Sequence, residues 1–112
     1  MKENTFTATI YCGLQEGYTG PIHSIDEVYT ICQRYVDKVK WCVTVTPTTF
    51  IYTRGKESGV IVGIIQYPRF PLSIKQIRGR ALTLASRLKD QLRQERVSIV
   101  YPDQTVVIGE KK

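Results

Sequence analysis

The sequence has few residues of the types that build metal sites, disulfide frameworks or nucleophilic triads. Its 112 residues include a single histidine, His23, and three cysteines, Cys12, Cys32 and Cys42, with no CxxC pair among them. A zinc site needs about four convergent ligands, and a Cys–His nucleophile needs a third group that orients the histidine. We therefore expect reduced thiols packed as small hydrophobic groups, no metal, no cofactor and no catalytic constellation. The chain is predicted not to be an enzyme.

Long apolar runs and low-complexity stretches are also missing. No segment approaches the roughly 18 apolar residues of a membrane-spanning helix, and residues 1–9 lack the apolar stretch of a signal peptide. We therefore expect a cytoplasmic protein without membrane contact. With 42% hydrophobic and 23% charged residues the composition is that of an ordinary globular protein, and the length predicts one domain over residues 1–112.

Acidic residues are scarce in one part of the chain. The formal net charge is +6, and residues 68–96 hold eight basic residues against two acidic ones, so the rest of the chain is neutral. Such a segment suits an anionic partner. Long basic side chains that border a buried helix face produce the same pattern, so this alternative stays open.

Hydrophobic periodicity predicts the order strand, helix, strand, strand, helix, strand. Residues 5–14 alternate as a half-buried strand does, and Ser24 with Glu27 predicts the capping box of a helix that ends near Lys38. Residues 41–53 predict one strand that has a bulge at Pro47 or lies at an edge of the sheet. Residues 54–59 have the composition of a turn, and residues 60–65 are apolar on both faces, as in a central strand.

The second half of the chain completes the pattern. Ser73 is predicted to cap a helix that continues to about Gln94, residues 97–101 form a last full strand, and residues 105–108 add a short one. This order is that of the ferredoxin-like split βαββαβ fold, an α+β fold with two helices on one face of an antiparallel sheet. The other face would leave apolar residues open, for which we favour contact with a second copy in a homo-oligomer.

Candidate ligand-binding residues are arginines and aromatic residues in loops. Two prolines fix the backbone around Arg69 and Phe70, and an arginine beside an aromatic ring suits a phosphate and a base. A rigid connection with the ring in the core is the alternative. The full predicted set is Arg69 and Phe70, Arg54 in the hairpin turn, Tyr18 in a glycine-rich loop and Arg96 after the second helix.

The glycine-rich loop itself, residues 13–20, joins a strand to a helix N-terminus, where free N–H groups can hold an anion. It lacks the lysine of a P-loop and the dinucleotide-binding spacing, so turn geometry alone also accounts for it. Recognition of single-stranded RNA by an RRM-type sheet is disfavoured, because the third strand lacks the aromatic residues that stack on bases.

Three runs carry a resemblance: residues 41–53 (WCVTVTPTTFIYT), 59–63 (GVIVG) and 67–71 (YPRFP). Their layout resembles that of small phage-encoded anti-defence proteins, in particular the Thoeris anti-defence sponge family. That resemblance implies an oligomer that sequesters cyclic ADP-ribose-type signals without cleaving them, in the cytoplasm of the host. It assigns no binding residue.

Together these observations predict a non-catalytic protein that binds a small anionic nucleotide-type ligand. Two alternatives from other classes remain. One is a protein-interaction module or inhibitor that uses the basic helix, and the other is a nonspecific nucleic-acid binder, whose affinity would fall steeply as the salt concentration rises.

Overall fold

The computed structural model describes Lys2, residues 5–69 and residues 71–109. Its elements are β1 (Ala8–Gly13), α1 (Ile25–Val39), β2 (Thr44–Tyr52), β3 (Gly55–Ile64), α2 (Ile74–Gln91), β4 (Arg96–Val100) and β5 (Thr105–Gly109). The strands form one antiparallel sheet in the order β2-β3-β1-β4-β5. The predicted ferredoxin-like α+β layout is confirmed, with β5 as a fifth strand at the β4 edge. Neither helix is long and apolar enough to cross a bilayer.

Both helices begin where the sequence predicts. The Ser24 hydroxyl accepts the Glu27 N–H, and the Glu27 carboxylate accepts the Ser24 N–H, so the predicted capping box is present. Ser73 and Gln76 form the same pair of contacts at α2. A cap of this kind contributes about 1 kcal/mol by satisfying N–H groups that the helix leaves unpaired. Helix α2 ends at Gln91, three residues before the predicted end.

One strand prediction needs correction. Strand β3 is an interior strand between β2 and β1, as predicted, but it begins earlier than expected. Residues 54–59, predicted as a turn, belong mostly to β3, which starts at Gly55 after a tight turn at Thr53 and Arg54. Of the two alternatives for Pro47, the edge position is correct, because β2 is an edge strand and its register with β3 runs without a bulge. An edge strand tolerates the missing N–H of proline.

The core lies between the helices and one face of the sheet. That face carries, from β1, β3 and β4, the buried side chains of Ala8, Ile10, Cys12, Val60, Val62, Ile64, Val97 and Ile99. Helix α1 covers it with Val28, Ile31, Cys32 and Tyr35, and helix α2 with Ile77, Ala81, Leu84, Ala85 and Leu88. Cys12 and Cys32 pack as predicted. Cys42 does not: it is exposed, and its Sγ lies 3.4 Å from the Tyr67 hydroxyl.

Three arginines of the basic helix α2 lie over aromatic rings. Arg78 lies over both Phe6 and Tyr101, 4.7 and 4.8 Å from the ring centroids, and also pairs with Asp103. Arg80 lies 5.5 Å from the Trp41 ring, and Arg87 lies 5.1 Å from that of Tyr35. Each such contact contributes about 0.5–1 kcal/mol near the surface. Three of the eight basic residues between positions 68 and 96 therefore border the helix–sheet packing.

Candidate functional site

The sheet face that the helices leave open is lined by small residues at one end. Gly13 of β1 and Gly59 of β3 are directly opposite each other. The Phe50 ring lies over Gly59 so closely that a Cβ there would collide with it, and the Tyr11 ring is 6.4 Å from that of Phe50. Glycine at both positions leaves room above the strands for side chains from neighbouring elements.

Two polar side chains meet above Gly13. A Cβ on Gly13 would be 2.7 Å from Oε1 of Gln94 and 3.9 Å from Oε1 of Glu57, so both oxygens converge on one point of the open face. Glu57 reaches this face because it precedes Gly59 by two residues, and alternate residues of a strand share a face. A carboxylate and a carboxamide therefore lie together above Gly13, which has no side chain.

Gln94 is held in place by the backbone of two other segments. Its Nε2 donates to the carbonyl oxygen of Gln15, at 3.1 Å, and to that of Leu92, at 2.9 Å. The preceding residue, Arg93, has a left-handed φ of 52°, which turns the chain sharply between α2 and β4. Because both amide hydrogens are used in these contacts, the Gln94 carbonyl oxygen is the atom presented above Gly13.

A cavity of about 320 Å³ opens at this point. It is lined by Gln15, Gly17, Tyr18, Glu57, Gln94, Glu95 and Arg96. Its volume lies at the small end of the range for ligand pockets. The walls combine two carboxylates, one guanidinium, two amides and one phenol ring. This mixture suits a small ligand that carries charges of both signs and an aromatic group better than it suits a polyphosphate.

The loop between β1 and α1 forms one wall of this cavity. Gln15 and Ile22 form a β-bridge, the Glu16 N–H donates to the Pro21 carbonyl, and the Gly20 N–H donates to the Glu16 carbonyl, both at 2.9 Å. The loop is therefore a closed turn in which these N–H groups are already used, which favours turn geometry over an anion-binding nest. Tyr18 lies at the tip of the loop with 89% of its surface exposed.

The structure brings two of the predicted site residues together and places two others elsewhere. Tyr18 and Arg96 line the same cavity. Arg54 occupies the β2–β3 turn with φ 62°, and Arg69 follows the far end of β3, beyond a strand of ten residues or about 30 Å. Phe70 lies outside the described residues. Neither Arg54 nor Arg69 lines the cavity.

Sequence analysis does not identify Glu57 and Gln94, because it places the start of β3 and the end of α2 too late in the chain. Residues 54–59 have the composition of a turn, which hides the strand alternation that places Glu57 beside Gly59 on one face. Gln94 falls inside the predicted second helix, whereas it lies in the turn after Gln91. Glu57, Gly59, Ile61 and Gly63 are alternate residues of β3. Their alternation with the apolar residues of the core face is the signal that would extend the predicted strand back to Glu57.

A second, larger cavity of about 410 Å³ lies at the other end of β3. Its lining is mainly apolar and includes Trp41, Ile65, Tyr67 and Leu72, with Lys40, Cys42, Gln66 and Arg80. Gln66 uses its side-chain amide on both backbone groups of Leu72. Within the described part of the chain, no group of three or more His, Cys, Asp or Glu side chains could hold a metal ion.

Comparison with known proteins gives two structural neighbours. No protein-family model and no curated protein sequence matches the chain. A phage S-adenosylmethionine (SAM) lyase in complex with S-methyl-5′-thioadenosine has a TM-score of 0.75 and 19% identity, covering 95% of this chain and 90% of that one. A phage SAM lyase in the apo state has a TM-score of 0.71 and 21% identity, covering 96% and 90%. At these identities the similarity establishes the fold.

These neighbours contradict two predictions. The sequence predicts a protein that sequesters its ligand without chemistry and that is not an enzyme, and both predictions are wrong, because the chains that share its fold over nearly their whole length are lyases. The phage character of the resemblance agrees with the neighbours, whereas the Thoeris sponge family is not confirmed. The ligand of the first neighbour is an adenosine thioether without phosphate, which differs from the phosphorylated ligand predicted for this chain.

Proposed function

We propose that this chain is a lyase that cleaves SAM in the cavity above Gly13. The observation that carries the proposal is the convergence of Glu57 and Gln94 on that glycine, beside an exposed aromatic ring and an arginine. SAM carries an adenine ring, a sulfonium cation, an ammonium group and a carboxylate. The cavity offers a partner for each of these groups, and the shared fold with SAM lyases supports the assignment.

The positions of the charges suggest individual roles. The carboxylate of Glu57 faces the sulfonium and limits where the substrate cation can lie, while the Arg96 guanidinium pairs with the substrate carboxylate. The Tyr18 ring stacks on adenine. The Gln94 carbonyl oxygen, whose amide hydrogens are already used, accepts a hydrogen bond from a ribose hydroxyl or from the ammonium group.

The bond that breaks is the one between sulfur and the γ-carbon of the amino-acid part. Sulfur keeps the electron pair and leaves as neutral S-methyl-5′-thioadenosine. The C–S bond breaks in concert with one of two steps. Either the substrate's own carboxylate attacks the γ-carbon, which gives a lactone, or Glu57 removes a β-proton whose C–H electron pair forms the double bond of an alkene. Neither route needs water or a second substrate. Because the two products are isomers, nuclear magnetic resonance rather than mass separates them.

The test is incubation of the purified protein with SAM, followed by chromatography of adenosine products. We expect S-methyl-5′-thioadenosine to accumulate with the wild type and to fall about 100-fold or more with Glu57→Gln, which keeps the shape and removes the charge. Asp37→Asn is the matched control, since Asp37 is an exposed α1 residue that pairs with Gln33. Absence of cleavage by the wild type, or equal rates for Glu57→Gln, would overturn the proposal.

The proposed reaction fits the predicted role of a phage-encoded protein in the host cytoplasm. Cleavage of SAM in a host cytoplasm would deprive methyl-transfer reactions of their donor and so counter a host defence that depends on methylation. The predicted homo-oligomer belongs to the same proposal. Tyr11, Val100 and Val107 expose apolar surface on the open face of the sheet, the face on which Glu57 and Gln94 meet. Native mass spectrometry of the wild type and of Val107→Glu tests whether copies associate there.

A further inference from the structure

The only histidine of the chain lies between two carboxylates. The Nε2 of His23 is 2.7 Å from Oε2 of Glu16, and its Nδ1 is 2.5 Å from Oε2 of Glu27. A neutral imidazole has one N–H and can donate to one carboxylate, which leaves its other nitrogen lone pair facing a negative oxygen. Only the imidazolium can donate to both. Two carboxylate partners in this geometry therefore favour the positively charged form of His23.

The two carboxylates belong to different parts of the molecule. Glu27 is in the first turn of α1, where it also takes part in the capping box with Ser24. Glu16 is in the β1–α1 loop, between Gln15 and Gly17, both of which line the cavity with Tyr18. The backbone N–H of His23 also donates to the Leu14 carbonyl, at 2.8 Å. His23 thus connects a rigid helix to the wall of the cavity.

We propose that the imidazolium of His23 is a positioning residue that holds the loop of Gln15, Gly17 and Tyr18 in place against the cavity. The expected effect on catalysis rests on the proposed function. The expected ordering of the loop does not depend on it. His23 does not touch the point where Glu57 and Gln94 meet. It acts through Glu16, and its loss leaves Glu57 in place while the adenine-stacking wall becomes mobile. Gln94 then keeps its contact with the Leu92 carbonyl and loses the fixed position of the Gln15 carbonyl, which affects substrate binding.

The sign of the pH dependence follows from the same geometry. The hydrogen bond to Glu27 is the largest cause that raises the His23 pKa above its usual 6.5; burial opposes it, and the bond to Glu16 adds to it. Glu16 on the loop and Glu27 on α1 are the charged groups that face the ring. The imidazolium therefore persists to a higher pH than that of an ordinary histidine, and it is lost as the pH rises through the raised value.

The first test needs no enzymatic activity. Because the chain has one histidine, a single imidazole resonance reports its titration. We expect a midpoint above 6.5 in the wild type and a lower midpoint in Glu16→Gln, which leaves the helix cap intact. Hydrogen exchange at the Glu16, Gly20 and His23 amides should rise about tenfold in His23→Gln. An ordinary midpoint, or exchange that His23→Gln does not change, would overturn the inference.

The second test separates positioning from chemistry. We expect His23→Gln to raise KM for SAM about five- to tenfold with kcat within about twofold, and to lack the rise of KM at alkaline pH that we expect of the wild type. His23→Arg, which keeps a cation that can donate to both carboxylates, should retain a KM near that of the wild type at high pH. Equal KM values for wild type and His23→Gln would refute the catalytic part. If the wild type cleaves no SAM, the titration and exchange results still decide the inference about the loop.

Discussion

Substitution of Gly13 by alanine tests the site without removing any functional group. Its added methyl carbon would be 2.7 Å from Oε1 of Gln94, where ordinary contact begins at 3.4 Å, so the end of the Gln94 side chain must shift by about 0.7 Å. The atom that moves is the end of a flexible side chain, and Gly13 does not have a positive φ. Gly13→Ala should therefore lower the free energy of unfolding only slightly.

The two effects of this substitution can be estimated separately. Alanine in a strand is favoured over glycine by about 0.5–1 kcal/mol, which offsets the displaced contact, so the free energy of unfolding should change by less than about 1 kcal/mol. A misplacement approaching 1 Å in a catalytic geometry costs about 100-fold in rate. We therefore expect Gly13→Ala to keep its melting temperature within a few degrees while SAM cleavage falls about 100-fold.

The assay compares kcat/KM with thermal unfolding by circular dichroism. Gly63→Ala is the matched control: it lies on the same open face of β3 at the far end, where the new methyl would meet the Thr44 hydroxyl. Because that methyl would approach the Thr44 Oγ1 more closely than the Gly13→Ala methyl approaches Gln94, Gly63→Ala should cost at least as much stability as Gly13→Ala while leaving the rate unchanged. Cleavage by Gly13→Ala within twofold of the wild type would refute the role assigned to Gln94 and Glu57. A loss of more than about 2 kcal/mol in stability would refute the estimate of a local, inexpensive shift.

Three further predictions concern the fold. Ser73→Ala should lower stability by about 1 kcal/mol, or roughly 4 °C in melting temperature, because it removes the α2 cap seen at 3.1 Å; equal stability would contradict the cap's role. The raised His23 pKa contributes stability that is complete below pH 6.5 and is lost as the pH rises through the raised value, so the wild type should lose stability there and His23→Gln should not. A thiol reagent at neutral pH should modify one cysteine per chain, Cys42, since burial raises the pKa of Cys12 to about 12 and that of Cys32 to about 11; modification of all three in the folded protein would contradict this.

Local signals in the sequence predict most of the fold. The capping residues Ser24 and Ser73 mark both helix starts correctly, and the alternation around Ile10 identifies the strand that becomes the centre of the sheet. These features depend on residues within a few positions of one another, which is why periodicity and cap chemistry detect them. Where the prediction fails, as at residues 54–59, polar turn-forming residues occupy a strand that extends beyond its neighbour β1 and is therefore only partly buried.

The site depends on contacts that no local pattern contains. Gln94 and Gln15 are 79 residues apart in sequence, and Glu57 meets them only because β3 pairs with β1 in a register that sets Gly59 opposite Gly13. Tyr18 and Arg96 were identifiable as residue types that suit a ligand, and the structure places them on the walls of one cavity. Arg54 and Arg69, chosen by the same criterion, do not line that cavity, because a residue's position along the sheet depends on strand register, which residue type does not reveal.

The wrong exclusion of enzymatic activity has a chemical origin. The absence of paired cysteine and histidine residues excludes zinc chemistry and nucleophilic triads, both of which need the protein to supply the reacting group. In the proposed cleavage of SAM, the substrate carries its own leaving group as a sulfonium and can supply its own nucleophile as a carboxylate. The protein then has only to orient the substrate and balance its charges, for which one carboxylate, one carboxamide, one arginine and one aromatic ring are sufficient. Residues of these types are present in almost every sequence, so a search for catalytic constellations overlooks an enzyme of this kind.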